Sequence, residues 1–147
     1  MHVSCVHTQI LKAGNPSSRA INALLYYKGL LCTGHPDGSI KAWDIEGQTA
    51  KYAWEVKAHK KQITCVALFE PGDSFLTGSS DKTVKVWQMK KRKLECVQVI
   101  ELKDPIHKID SCGQMIFIIT QSHGVKMQAY RCLPCSLYAY MKVTEKR

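Results

Sequence analysis

Residues Leu76–Gln88 read LTGSSDKTVKVWQ, and residues Leu31–Asp44 read the related LCTGHPDGSIKAWD. The two stretches match at a constant offset of 44 residues, at Gly34 and Gly78, Asp37 and Asp81, Ile40 and Val84, Trp43 and Trp87. Each copy reads as a strand, a tight turn at the Asp, and a second strand with alternating β-branched residues before a Trp. A fixed period of this size is typical of repeat architectures, and its content predicts an all-β chain built as part of a β-propeller.

The details of the unit resemble WD repeats. The resemblance rests on the Gly–Ser–x–Asp turn at residues 78–81, the six-residue step from Asp81 to Trp87, and the Trp43–Asp44 pair. Ala58–His59, four residues before Ile63, stands where that family usually has Gly–His. The likeness runs from about Ser4 to Gln128. These motifs are specific for the fold and silent on function.

A narrower resemblance is to the WD-repeat region of plant U-box ubiquitin ligases of the Cerberus type. It rests on AINALLYYKGLLCTGHPDGSIKAWDI (Ala20–Ile45) and KAHKKQITCVALFEPGDSFLTGSSDKTVKVWQM (Lys57–Met89). The resemblance implies a substrate- or adaptor-binding region of such a ligase. The 147 residues contain no U-box, so this chain alone is not expected to be an enzyme.

The repeat register predicts two good four-stranded blades, one degenerate blade and an irregular C-terminal tail. In order, the predicted units are an outer strand of a preceding blade with a linker (1–19), a WD blade (20–57), a second WD blade (58–104), a degenerate partial blade (105–130) and the tail (131–147). The third unit lacks the turn Asp and has Gln128 where the Trp belongs. Because propellers close with about 4–8 blades, the simplest explanation is that the chain is a piece of a larger propeller and needs the rest of it.

Composition limits the class of protein. With 45% apolar and 22% charged residues the chain reads as globular, and it contains neither an apolar run long enough to span a membrane nor a secretory signal shape. Seven cysteines, an odd number, favour reduced thiols and a cytoplasmic or nuclear location. No membrane partner is expected.

The net charge of +9 suits an acidic partner, but the lysines are scattered and no aromatic residues are interleaved with them. Nucleic-acid binding is therefore not favoured. The basic run Lys90–Lys93 is interpreted first as a polar turn, with a nuclear-import signal or anionic docking patch as the alternative. Cys132–Cys135 lacks the second ligand pair that a zinc site needs, so no metal or other cofactor is predicted.

The resemblance implies a buried structural network in the second blade, made by His59, Ser79, Asp81 and Trp87, with Thr77 as a second candidate for the hydroxyl. A His near an Asp and a Ser also suggests a hydrolase. The sequence has no nucleophile elbow or oxyanion loop around these residues, so no catalytic residue is predicted.

The first blade keeps Asp37, Trp43 and Asp44 of this pattern. It has Ser17 in place of the His and His35 in place of the Ser, so the complete network is not transferred to it.

Partner contacts of WD propellers are usually made by loop residues at the start of the first strand and before the turn Asp. The matching positions here are Pro36, Lys60, Gln62 and Ser80. The predicted function is a non-catalytic protein-interaction scaffold. The alternative is a stand-alone short WD-repeat adaptor with a nuclear or nucleic-acid-associated role.

Overall fold

The computed structural model describes residues 20–121 and the backbone of residues 126–133 and 136–144, which form three antiparallel four-stranded sheets. The first sheet consists of β1 (Ala23–Tyr27), β2 (Leu30–Gly34), β3 (Ser39–Glu46) and β4 (Thr49–Lys57). The second consists of β5 (Ile63–Phe69), β6 (Ser74–Ser79), β7 (Thr83–Lys90) and β8 (Lys93–Glu101). The third consists of β9 (Ile106–Cys112), β10 (Met115–Thr120), β11 (Lys126–Leu133) and β12 (Ser136–Thr144).

Each sheet is an up-and-down meander in which every strand pairs with the next one along the chain. The first strands of the three sheets lie side by side, β1 against β5 and β5 against β9, so the sheets follow one another as propeller blades do. The prediction of an all-β partial propeller is confirmed.

The first and second blades pack face to face through one hydrophobic cluster. The first blade contributes Tyr27, Cys32 and Ile40, and the second contributes Phe75 and Trp87. The rings of Tyr27 and Phe75 meet edge to face with centroids 4.9 Å apart. Tyr27 also donates its hydroxyl proton to the carbonyl of Asp73, at 2.6 Å, which satisfies the polar end of this buried ring.

A second cluster joins the second and third blades. Leu76, Val84 and Val86 of the second blade contact Ile106 and Ile116 of the third. The inner strands therefore bury both of their faces, one toward each neighbouring blade. This explains why β6 is buried at every residue and does not alternate between buried and exposed positions.

The repeated glycine of the sequence motif lies where the next blade comes closest. A Cβ atom on Gly34 would stand 2.7 Å from Cγ2 of Ile63, and a Cβ on Gly78 would stand 2.7 Å from Cγ2 of Ile106. Both distances are well below the normal van der Waals separation of two carbon atoms. The glycine at this position therefore sets the spacing between consecutive blades.

The C-terminal strands require a correction. Residues 136–144 were predicted to belong to an irregular tail, but they form β12 and pair with β11 from Lys126 opposite Thr144 to Leu133 opposite Ser136. The WD motif is absent from this region, so the repeat pattern predicts no strand there. The segment SLYAYMKVT is nevertheless rich in aromatic and β-branched residues, which favour strands without any motif.

Some sequence-based expectations fall outside the described residues, namely the outer strand and linker of residues 1–19, with Ser17, and Cys135 of the tail. Among the residues that the structure describes, no helix has the length and apolar character needed to cross a membrane. In the same residues no group of three or more His, Cys, Asp or Glu side chains is arranged to hold a metal ion.

Candidate functional site

A buried hydrogen-bond network connects the loop before β5 with β6 and β7. His59, from the loop, places Nδ1 2.9 Å from Oδ2 of Asp81 and Nε2 2.6 Å from Oγ1 of Thr77. The indole N–H of Trp87 donates to the same Thr77 oxygen at 2.8 Å. Thr77 is thus the centre of a chain that runs from the turn Asp to the Trp.

The carboxylate of Asp81 organises the turn between β6 and β7. Its Oδ1 accepts the backbone N–H of Thr83 at 3.0 Å and the hydroxyl of Thr83 at 2.5 Å. Its Oδ2 also accepts the backbone N–H of Lys60, at 3.2 Å. One carboxylate therefore joins the β6–β7 turn to the loop that enters the second blade.

The environment fixes the charge on each member of the central pair. Burial lowers the pKa of His59, although the charge of Asp81 opposes that effect, so the imidazole is neutral at neutral pH. For Asp81 burial alone would raise the pKa, but the hydrogen bonds from Thr83 and the contact with His59 hold it below the ordinary value. Nδ1–H of His59 then donates to the Asp81 carboxylate, and Nε2 accepts the Thr77 hydroxyl proton.

The structure assigns the network hydroxyl to Thr77 and not to Ser79, which the sequence had favoured. Ser79 is the last residue of β6, and its hydroxyl donates to the carbonyls of Gln62, at 2.8 Å, and Lys61, at 3.2 Å. It also accepts the backbone N–H of Asp81 at 3.1 Å. Ser79 therefore holds the two loops together, while Thr77, two residues earlier on the same face of the strand, reaches His59 and Trp87.

The first blade builds a related network from a different histidine. Thr33 occupies the place of Thr77 and accepts from the indole of Trp43 at 3.5 Å. His35, the first residue after β2, places Nε2 2.7 Å from the Thr33 hydroxyl, while its Nδ1 lies 2.8 Å from the carbonyl of Ala20. The turn is closed as in the second blade, because Asp37 accepts the backbone N–H of Ser39 at 3.0 Å and its hydroxyl at 2.5 Å.

The third blade has no hydroxyl at the network position, because the pairing of β9 with β10 places Ile118 where β6 has Thr77. Thr120, the last residue of β10, stands where β6 has Ser79. Its hydroxyl oxygen is the buried side-chain atom for which the described residues provide no hydrogen-bond partner. This explains in physical terms why the third blade reads as degenerate.

The network lacks the properties of a catalytic site. The side chain of His59 is 0% exposed and Thr77 is 0% exposed, so neither a nucleophile nor a base is open to a substrate. The Thr77 hydroxyl is already engaged with His59 and Trp87. The arrangement can position loops, and it leaves no room for a reaction.

A known protein family matches the part of the chain that contains the second-blade network. Residues 50–88 fit the model of the family described as WD domain, G-beta repeat, and they include His59, Thr77, Asp81 and Trp87. Residues 50–88 of the chain are thus a repeat of the WD40 family.

This WD-repeat chain is similar to two plant proteins. It is 29% identical over 119 residues to the "Putative E3 ubiquitin-protein ligase LIN-1" of Lotus japonicus, and 29% identical over 119 residues to the protein named LIN, with the same description, of Medicago truncatula. Each alignment covers 81% of this chain and 8% of the relative. The chain thus spans about 8% of the length of these relatives.

Among solved structures, the WD-repeat chain is similar to the Cps50 (Swd1) β-propeller domain of Myceliophteria thermophila. The TM-score is 0.66 at 15% sequence identity, over 93% of this chain and 39% of the other. At this identity the likeness shows the fold alone. It supports the arrangement of the three sheets as consecutive propeller blades.

Above the WD-repeat network lies a row of residues that we call the upper rim, defined by Asn22, Pro36, Lys60, Gln62 and Ser80. Ser80 is half-buried and the other four are exposed. Asn22 donates from Nδ2 to the carbonyl of Ile63 at 3.0 Å and approaches Oε1 of Gln62 at 3.5 Å. Gln62 in turn donates from Nε2 to the hydroxyl of Ser80 at 3.2 Å. Pro36 and Lys60 are exposed beside this row, and Asp44 lies at the far end of β3, away from both rim and network.

The parts that three residues play in these networks were missed from the sequence, and each had a usable signal. His35 follows Thr33 by two residues, the spacing that places two side chains on one side of an extended chain. Ser39 and Thr83 each stand two residues after a turn Asp, the spacing at which an Asp side chain bonds the chain ahead of it. Strand alternation and turn chemistry would have found them, whereas matching to the motif did not.

Proposed function

We propose that this WD-repeat chain is a non-catalytic scaffold that binds a protein partner at its upper rim. We further propose that it serves as the partner-binding region of a plant U-box ubiquitin ligase. The second step is supported by the similarity to the LIN proteins across 81% of the chain. The first step is supported by the geometry of the rim.

The observation that carries the proposal is that exposed rim side chains are held by a rigid, buried support. Lys60 donates its backbone N–H to Asp81, whose other contacts are with His59 and Thr83. Gln62 bridges to Ser80 across the loop and the turn of the second blade. Recognition residues are often found on loops held by such a scaffold, because little entropy is lost when a partner binds.

The rim extends over two blades. Asn22 of the first blade bonds the loop that enters the second blade, and the backbone N–H of Ile63 donates to the carbonyl of His35 at 3.1 Å. A partner that covers the rim would therefore contact both blades as one surface. This favours a folded protein or an extended segment over a small molecule.

The test is photocrosslinking with benzoylphenylalanine placed at Lys60 in the full chain, in an extract of the source organism. We expect a defined adduct that excess unlabelled wild-type chain suppresses and that a Q62A/S80A competitor does not. The matched control carries the same group at Lys51, which is exposed on β4. Equal adducts from Lys60 and Lys51, or equal competition by both competitors, would refute a specific rim.

The non-catalytic part of the proposal has its own assay. With ubiquitin, activating enzyme and a panel of conjugating enzymes, the isolated chain should form no more ubiquitin conjugates than a reaction without any ligase. The reason is that the 147 residues contain no U-box, the part that recruits the conjugating enzyme in the ligases that this chain resembles. Conjugate formation above that background would contradict the proposal.

A further inference from the structure

A groove between the first and second blades lies at the opposite end of the strands from the upper rim. We call it the lower groove. It comprises two adjoining cavities of about 590 and 330 Å³, and both are lined by Trp54 of β4 and Arg92 of the β7–β8 turn. The apolar lining comes from Leu30, Met89, Val56 and Leu94. The groove thus has an apolar floor and a cationic edge.

The cationic edge is the tip of a β-hairpin held in an unfavourable backbone conformation. Lys90 pairs with Lys93, and the two residues between them, Lys91 and Arg92, have φ angles of 51° and 62°. A two-residue turn of this kind favours Gly, Asn or Asp. The corresponding turn of the first blade has Gly47, with φ 61°, at the place of Lys91. Long cationic side chains are therefore present at a site where turn geometry alone would favour small residues.

These cations are not neutralised within the described part of the chain. The ion pairs found there include one between Lys90 and Glu95, at 3.5 Å, and none made by Lys91, Arg92 or Lys93. All three are exposed. An acidic group beside the apolar floor would therefore gain attraction without breaking an existing pair.

The groove discriminates between acidic partners. Trp54, Val56 and Leu94 are half-buried, so they form the floor of a depression and cannot insert into a bilayer. Asp44 and Glu46 line the far end of the same groove and would repel a continuous polyanion such as nucleic acid or an anionic membrane. A short peptide meets neither obstacle, because its acidic residues can lie at Arg92 and Lys93 only.

We propose that the lower groove binds an extended segment of a partner protein in which acidic residues flank a large apolar side chain. The apolar side chain packs on Trp54 and Leu94, and the carboxylates pair with the Lys91–Lys93 tip. The groove and the upper rim share no residue. The proposal therefore goes beyond the proposed function, and the failure of either leaves the other intact.

The test is fluorescence anisotropy of the full chain with a fluorescein-labelled peptide, EDELLDED, at physiological ionic strength. We expect saturable binding in the micromolar range and at least about tenfold weaker binding of EDESSDED, which lacks the apolar pair. The double variant K91G/R92G should also weaken EDELLDED binding about tenfold or more. Because glycine is favoured at positive φ, this variant should fold at least as well as the wild type, so lost binding would not reflect lost structure. Trp54→Ala should weaken binding of the peptide to a similar extent.

The matched control is K82Q/K103Q, which removes two positive charges near the other end of the second blade and should leave the affinity unchanged. Equal weakening by K82Q/K103Q and K91G/R92G would reduce the effect to net charge and overturn the proposal. Equal affinity for EDELLDED and EDESSDED would overturn the role of the floor. Binding to phosphatidylserine vesicles or duplex DNA that depends on Lys91 and Arg92, with no binding of EDELLDED, would assign the site to another class of partner and also overturn it.

Discussion

Thr77 is the centre of the buried network, and its replacement by valine isolates what the network contributes to stability. Valine has nearly the same shape as threonine, is equally suited to a strand and lacks the hydroxyl. The change leaves two buried groups without a partner, Nε2 of His59 and the indole N–H of Trp87, which now lie 2.6 and 2.8 Å from the Thr77 oxygen.

The expected cost follows from these two groups. An orphaned buried donor or acceptor costs about 1–3 kcal/mol, so the two groups together should lower the free energy of unfolding of Thr77→Val by roughly 2–6 kcal/mol. Thr33→Val should cost less, about 1–2 kcal/mol, because the bond from Trp43 to Thr33 is already long at 3.5 Å.

The third blade supplies the matched control. The Thr120 hydroxyl is buried and has no hydrogen-bond partner among the described residues, so Thr120→Val removes an unsatisfied polar group. We expect this variant to be unchanged or more stable by up to about 1 kcal/mol. The same chemical change at two buried strand positions, one engaged in hydrogen bonds and one not, should therefore have opposite effects.

Urea unfolding of the full chain, followed by circular dichroism and tryptophan fluorescence, measures the three variants under identical conditions. The expected order of stability is Thr120→Val at or above wild type, then Thr33→Val, then Thr77→Val. Equal losses at Thr77 and Thr120 would show that these changes act through strand packing. A loss at Thr77 below about 0.5 kcal/mol would show that the network does not stabilise the blade.

Three further predictions concern a histidine, two glycines and two cysteines. Burial lowers the pKa of His59 below its ordinary value of 6.5, so the unfolded chain takes up a proton that the native chain does not. The free energy of unfolding should therefore fall as the pH drops through 6.5. The urea midpoint, measured against pH, should change less steeply in His59→Gln than in the wild type. Gly38→Ala should lower the free energy of unfolding by more than about 3 kcal/mol, because its Cβ would lie against the backbone of His59. Gly29 has a φ of +79° and nothing within 4 Å of an added Cβ, so Gly29→Ala should lower it by only about 1 kcal/mol. Thermal unfolding of both variants measures the difference. Cys32, buried with a pKa raised to about 11, should resist dithionitrobenzoate until the chain unfolds, while the exposed Cys112 reacts at once.

The fold was readable from the sequence because its signals are local. The turn Asp, the β-branched alternation and the Trp that follows occur twice at a constant offset, and each predicts the same hairpin. Gly34 and Gly78 belong to this readable set. Their role in setting the distance between blades needs coordinates, because Ile63 and Ile106 reach them from another sheet.

The remaining features depend on contacts that no local pattern encodes. Motif matching placed the hydroxyl first at Ser79, since Thr77 and Ser79 share a strand face and only the position of His59 decides between them. The same matching missed β12, whose pairing with β11 depends on composition and not on the motif. The lower groove joins Trp54 of one blade to Arg92 of the next, and residues that meet across blades show no spacing in sequence.

The positions where the two blades agree therefore differ in kind from those where they diverge. Thr33 and Thr77 agree, and both are buried and engaged in holding their own blade. Pro36 corresponds to Ser80 on the upper rim, and these two differ in shape and in hydrogen-bonding groups. Gly47 corresponds to Lys91 at the hairpin tip, and these two differ in size, in charge and in how well they tolerate a positive φ. A repeat needs the shared residues in order to fold, so they carry no information about a partner. Specificity for a partner must come from the positions at which the two blades differ. In the structure these positions lie in the loops of the upper rim and at the hairpin tip.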